Sequence, residues 1–252
     1  MQNVVISVRN LVKKFGNFTA NDRLTFEVYQ GEIFGFLGAN GAGKTTALRI
    51  LSGLSSPTSG EVVVAGFNAA REPEQIKRNI GYMSQKFSLY EDLTIRENIM
   101  LYGGIYGLKK AQIRKRTTEL LTKLRFEEYA DRLIADLPLG LRQKLAFSVA
   151  LLHEPKIVFL DEPTGGVDPV TRRQFWEMIY EAAAQGVTVF VTTHYMDEAE
   201  YCDRVCIMSE GKIVALDTPE NLKKVYQAQS VEEVFVKIAR PQPLSASIIQ
   251  EP

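Results

Sequence analysis

Gly38-Ala39-Asn40-Gly41-Ala42-Gly43-Lys44-Thr45 decides how this chain is read, because it sets glycines, a lysine and a hydroxyl at the spacing G-x-x-x-x-G-K-[ST] of a phosphate-cradling loop. Its flanks agree. The apolar run Ile33-Phe34-Gly35-Phe36-Leu37 predicts a buried strand entering the loop, and Thr45-Thr46-Ala47-Leu48-Arg49-Ile50-Leu51 predicts the helix leaving it. Gly38, Gly41 and Gly43 permit backbone conformations in which successive N–H groups turn toward an anion. The following helix adds its unpaired N–H groups and positive dipole end. Lys44 brings a mobile charge to the β- and γ-phosphates and Thr45 a hydroxyl to Mg²⁺. The stretch therefore implies a nucleoside triphosphate site, with ATP as the expected ligand.

Composition narrows the remainder. A chain of 252 residues suits one large α/β domain with insertions. Thirty basic residues balance thirty acidic ones, so no charged surface argues for a nucleic-acid partner. No run approaches 18 consecutive apolar residues, and Met1-Gln2-Asn3-Val4-Val5 lacks the order of a signal peptide; the expectation is a cytosolic chain. Cys202 and Cys206, with only His153 and His194 to join them, read as buried reduced thiols rather than a metal pair.

Outward from the loop, Val4–Arg9 and Leu24–Tyr29 predict two strands joined by a loop holding Lys13-Lys14-Phe15-Gly16. Phe15, an aromatic ahead of a phosphate loop, is the candidate platform for adenine. Pro57-Thr58-Ser59-Gly60 predicts a turn, Glu61–Val64 a short strand, and Ile80–Ser84 another strand that delivers Gln85 at its end. The apolar run Phe87-Ser88-Leu89-Tyr90 is expected to be exposed, so Gln85 suits a metal-facing amide or a partner-binding patch. Thr94-Ile95-Arg96-Glu97 is a capping box. The helix it opens is expected to reach Tyr102 or beyond, with Gly103-Gly104 and Gly107 as breakers, and Lys110–Leu124 predicts a second helix. Residues 87 to about 154 thus read as a mainly helical insertion.

Lys156-Ile157-Val158-Phe159-Leu160-Asp161-Glu162 reads as a parallel-type strand ending in two carboxylates. Asp168-Pro169 supplies N-cap and N1 of a helix, and Val187–Val191 predicts a core strand ending at Thr192-Thr193-His194. Residues 205–208 and 212–215 read as a hairpin. Val231, Val234, Phe235 and Ile238 have the period of a docking helix, and residues 239–252 read as a loose tail or linker. Strands ending at Leu37, Asp161 and Thr192 bring loop, carboxylates and histidine to one sheet edge, where ligands bind in such folds. There Asp161 would hold Mg²⁺ through water, together with Thr45 and Gln85. Glu162 would serve as general base, while Gln85 senses metal and water. His194 would orient the γ-phosphate or the nucleophile, and Lys44 would stabilise charge.

Taken in order, Gly38–Thr45, Gln85, Asp161-Glu162-Pro163-Thr164, Gly166-Val167-Asp168 and His194 resemble the ATP-binding subunits of ABC transporters, over roughly residues 4–238. The stretches 81–90 and 193–203 resemble the exporter branch that handles drugs, lipids or polysaccharides. The resemblance implies a phosphate-loop NTPase core with a mainly parallel sheet, an antiparallel β subdomain and a helical insertion. It also implies a head-to-tail dimer closing over two ATP molecules, docking of a transmembrane permease beside Gln85, and export driven by ATP hydrolysis. One motif departs: where the family has Leu-Ser-Gly-Gly-Gln, this chain has Leu137-Pro138-Leu139-Gly140-Leu141. Pro138 has neither hydroxyl nor N–H, so a contact to the γ-phosphate worth about 1.5–3 kcal/mol is lost. Either Gly140 and a helix starting near Leu141 still grip the phosphate in a homodimer, or this half pairs with an unlike nucleotide-binding half. The rival function is a soluble ABC-type ATPase acting on nucleic acid or ribosomes.

Overall fold

The computed structural model describes residues 3–85 and 89–239. The first layer is antiparallel. Strands β1 (Val4–Phe15) and β2 (Phe18–Tyr29) form a long hairpin, joined by β4 (Ser59–Val64) and the two-residue β5 (Phe67–Asn68) in the order β2-β1-β4-β5. Between them in sequence lie β3 (Ile33–Gly38) and helix α1 (Lys44–Leu51). After helix α2 (Pro73–Asn79) and β6 (Ile80–Met83) come α3 (Ile95–Ile105), α4 (Lys110–Leu124) and α5 (Leu139–Ala150). The chain then runs through β7 (Ile157–Asp161), α6 (Pro169–Ala184), β8 (Thr188–Thr193), β9 (Arg204–Ser209), β10 (Lys212–Asp217), α7 (Pro219–Val225) and α8 (Val231–Ala239). The second sheet has the order β10-β9-β3-β8-β7-β6, parallel except for β10. No helix among the described residues is long and apolar enough to cross a membrane.

Alternation along the parallel strands builds two cores. Phe34, Phe36, Phe159 and Phe190 face the antiparallel layer and α1, whereas Ile33, Leu37, Val158, Leu160, Val189 and Val191 face the helical side. The Phe190 ring sits 5.2 to 5.5 Å from those of Phe34, Phe36 and Phe159, and 6.4 Å from Phe26 of the hairpin. Phe190→Ala opens a cavity where both layers meet, which typically costs about 3–5 kcal/mol. The midpoint of urea unfolding is expected to fall accordingly, without a change in the unfolding slope.

Several boundaries differ from the sequence reading. Lys13, Lys14 and Phe15 are not in a loop: β1 continues through them, because irregular register keeps Lys13 opposite Asn21, Lys14 opposite Thr19 and Phe15 opposite Phe18. Gly103-Gly104 does not end α3. A Cβ on Gly103 would lie 2.9 Å from Ile113 Cγ1, so this glycine lets α3 and α4 approach closely inside an intact helix. Of the expected exposed run, residues 86–88 lie outside the described residues, Leu89 is buried and Tyr90 is half exposed. Helix α5 starts at Leu139, with Pro138 as its N-cap. The capping box at Thr94 and the Asp168-Pro169 cap both form, and Cys202 and Cys206 are free and buried. Residues 240–252 lie outside the described residues.

The C-terminal helices pack back on the core. Val231 and Val234 of α8 are fully buried, and α8 lies against the 3₁₀ turn Met196–Tyr201 that follows His194. Glu200 in that turn accepts the Val231 N–H at 3.1 Å and the Lys223 ammonium of α7 at 2.6 Å.

Candidate active site

The glycine-rich loop leaves β3 and closes at Gly43, the left-handed N-cap of α1. A Cβ at Gly43 would meet the Ala20 carbonyl at 2.4 Å, so the loop fits against β2 only with hydrogen there. Asn21, fully buried, donates from Nδ2 to the Gly43 carbonyl at 3.1 Å. Ala42 is braced too: its N–H reaches Ala39 O and its carbonyl accepts from Gly211, both at 3.1 Å. Sequence reasoning missed Asn21, since nothing local in a strand marks it as a loop support.

A cavity of about 520 Å³ opens over this loop, lined by Asn40, Gly41, Gly43, Lys44, Thr45, Thr46, Gln85 and Glu162, and by Phe18 and Ala20 from β2. Lys44 is buried, and its Nζ donates to the carbonyls of Gly38 (2.7 Å) and Ala39 (3.3 Å). It lies 3.6 Å from Glu162 Oε1. Burial holds the Lys44 ammonium below its ordinary pKa, against the opposing pull of the Glu162 carboxylate.

The two carboxylates at the end of β7 are held differently. Asp161 is buried, accepts a hydrogen bond from Thr192 Oγ1 at 2.7 Å, and is pushed above the usual carboxylate range by burial. Glu162 adopts a left-handed backbone, φ 49°, a conformation few residues without special support adopt. Its N–H is caught by the Thr192 carbonyl and Oγ1. Its Oε2 accepts from Gln85 Nε2 at 2.7 Å and lies 3.1 Å from His194 Nδ1. Thr192 therefore sets both carboxylates, a role the sequence reading left out because it took this residue only as the end of a strand.

Lys44, Gln85, Glu162 and His194 thus converge at the carboxyl ends of β3, β6, β7 and β8, with Asp161 behind them. Two expected residues are not brought there. Phe15 is 56% exposed with the Lys13 ammonium 5.1 Å over its ring, and its hairpin partner Phe18 lines the cavity instead. Gly140 lies in a separate hollow of about 360 Å³ with Pro138, Leu139, Lys144 and Asp168. A Cβ on Gly140 would come within 2.5 Å of Thr171 Cγ2. No group of three or more His, Cys, Asp or Glu side chains among the described residues is arranged to hold a metal by itself.

The family described as "ABC transporter" matches residues 21–165. "Probable multidrug ABC transporter ATP-binding protein YbhF" of Escherichia coli is 47% identical over 219 residues, covering 87% of this chain but 38% of that protein. The chain therefore spans well under half the length of this relative. "Nod factor export ATP-binding protein I" of Cupriavidus metallidurans is 37% identical over 92% of this chain and 77% of its own length. A solved ATP-binding subunit of an ABC transporter superposes with a TM-score of 0.84 at 30% identity, covering 94% of this chain and all of that one. A dimeric ATP-binding cassette in a post-hydrolysis state, bound to ADP and Pi, gives 0.76 at 27% identity over 84% of this chain and 98% of its own. With the loop, the two carboxylates and the histidine on one edge of the sheet, and with these relatives matched along most of its length, the chain belongs to the ABC transporter family, as an ATP-binding cassette.

Proposed function

We propose that the chain binds Mg-ATP at the phosphate loop, hydrolyses it with Glu162 as general base, and powers export across a membrane through a partner transmembrane permease. The observation that carries this reading is the placement of Glu162, within 3.1 Å of His194 and 2.7 Å of Gln85 on the wall of the cavity that Lys44 and Thr45 line. Glu162 accepts a proton from the attacking water, His194 orients the γ-phosphate or that water, and Lys44 with the loop amides takes up charge. The backbone of Gly38–Gly43, with Thr45 and Thr46 at the helix start, cradles the phosphates, and the hairpin carrying Phe15 and Phe18 offers the base a flat apolar face. Thr45, Gln85 and Asp161 would hold Mg²⁺. Their hydroxyl, amide and carboxylate oxygens form the hard donor set this ion takes, and few protein ligands suffice where phosphate and water complete the shell. When bound, the metal neutralises charge on the phosphate oxygens.

The family name and the export named in several relatives support transport, and the dimeric cassette supports a second nucleotide-binding domain as partner. Tyr90, Met100, Leu101 and Ile105 leave apolar surface exposed on the helical side, which suits docking of a permease and a peripheral place on the cytoplasmic face. Residues 1–238 would form the ATP-binding domain, with an insertion over about 87–154. Pairing is the open variable. Pro138 offers no hydroxyl or N–H at the start of α5. This degenerate signature, and the greater length of YbhF, favour an unlike second half as the alternative to a homodimer. Mg-ATP hydrolysis measured against the chain's own concentration, with Glu162→Gln as blank, decides. A rate that rises faster than linearly supports working homodimeric sites. ATP binding without turnover at any concentration moves the activity to a complex with another half.

A further inference from the structure

Glu198 is a charged side chain with no solvent exposure, and nothing in the hydrolytic chemistry above uses it. Its Oε1 accepts a hydrogen bond from Thr164 Oγ1 and lies 3.6 Å from Arg172 Nε. Thr164 is two residues past Glu162 and 1% exposed. Arg172, from the first turns of α6, reaches Asp197 at 3.3 Å and lays its guanidinium 4.3 Å over the Tyr195 ring. Tyr195 in turn packs 4.2 Å from the His194 ring. These contacts close a ring that leaves Glu162 through Thr164, passes Glu198, Arg172, Tyr195 and His194, and returns to Glu162 across 3.1 Å.

We propose that the buried Thr164–Glu198–Arg172 cluster is a positioning unit that holds His194 and the left-handed Glu162 in register for hydrolysis. The reason is geometric. Glu162 and His194 stand at the ends of the neighbouring strands β7 and β8, and the chain leaves each strand there in an irregular turn. A carboxylate hidden from water costs several kcal/mol unless its partners compensate, so Glu198 keeps this loop, this turn and α6 at one separation. Arg172 is also four residues from Asp168, whose carboxylate caps α6 by accepting the Val170 and Thr171 N–H groups, each at 3.0 Å. Movement of the α6 cap is thereby passed to His194 through the Arg172 stack on Tyr195.

This inference rests on the hydrolytic reading, so its test has a readout that needs no turnover. Thr164→Val keeps the shape and the Glu198–Arg172 charge pair but removes the hydroxyl; Thr164→Ser restores it. The chain has two histidines, so a His153→Gln variant assigns the imidazole NMR signals. In Thr164→Val the His194 signal is expected to move beyond its linewidth, and to return in Thr164→Ser. The kcat for Mg-ATP, in the homodimer or in the complex that turns over, is expected to fall about tenfold to a hundredfold with ATP affinity within twofold, as for small misplacements of reacting groups. Arg172→Met is expected to act in the same direction, with Arg172→Lys intermediate. A folded Thr164→Val with unchanged His194 signal and unchanged kcat overturns the proposal. A wild-type chain that fails to hydrolyse ATP in either assembly, while the His194 signal still responds, overturns the hydrolytic reading and leaves the positioning unit standing.

Discussion

Glu162→Gln is expected to leave ATP binding intact and to reduce Mg-ATP hydrolysis by about 10²- to 10⁴-fold, the usual contribution of a positioned general base. The substitution is nearly isosteric. An amide at this position still offers an acceptor to Gln85 and still fits beside His194, so the cavity wall is preserved. What disappears is the ability to take a proton from water, together with the negative charge 3.6 Å from Lys44. Loss of that charge frees the lysine for phosphate, so ATP is expected to be held at least as well as in the wild type while phosphate release slows by that factor. Single-turnover phosphate release, read beside nucleotide retention on a sizing column, checks both halves. A variant that releases phosphate at the wild-type rate removes Glu162 from the base role.

Lys44→Ala is expected to act on binding first. Among the described residues lining the cavity, Lys44 is the one buried cation, and on the proposed reading its ammonium meets the β- and γ-phosphates. Hydrogen bonds to charged groups are worth about 1.5–3 kcal/mol each. Losing two of them weakens ATP binding by roughly a hundredfold or more. Adenosine, which has no phosphate, is expected to lose nothing. Titration of a fluorescent ATP analogue against wild type and variant measures the effect, and equal affinities would refute the assignment. Burial already holds this lysine below its ordinary pKa, so ATP is expected to raise it, and proton uptake on binding is expected in alkaline buffer, where the buried amine is partly neutral.

The parts of the site legible in the sequence are those written in contiguous residues. The phosphate loop, the apolar strand ending in Asp161-Glu162 and the strand ending before His194 each carry a local pattern, and parallel-sheet logic alone brings their ends together. The parts that escaped depend on distant chain. Asn21 supports Gly43 from another strand, Thr192 reaches Asp161 and Glu162 across a register that only pairing creates, and Phe18 enters the cavity because β1 continues to Phe15. Gly103 misled for a related reason: a glycine reads as a breaker until the helix packed against it is known. The α5 start was displaced by two residues because Pro138, unable to donate, makes a serviceable N-cap position.

Glu200 ties Lys223 of α7 and the first amide of α8 to the turn that carries Glu198. One side of that turn therefore holds Thr164 and Arg172 through Glu198, and the other holds α7 and α8 through Glu200. Helix α8 is in effect a handle: whatever grasps or releases it pulls on the same six-residue turn that follows His194.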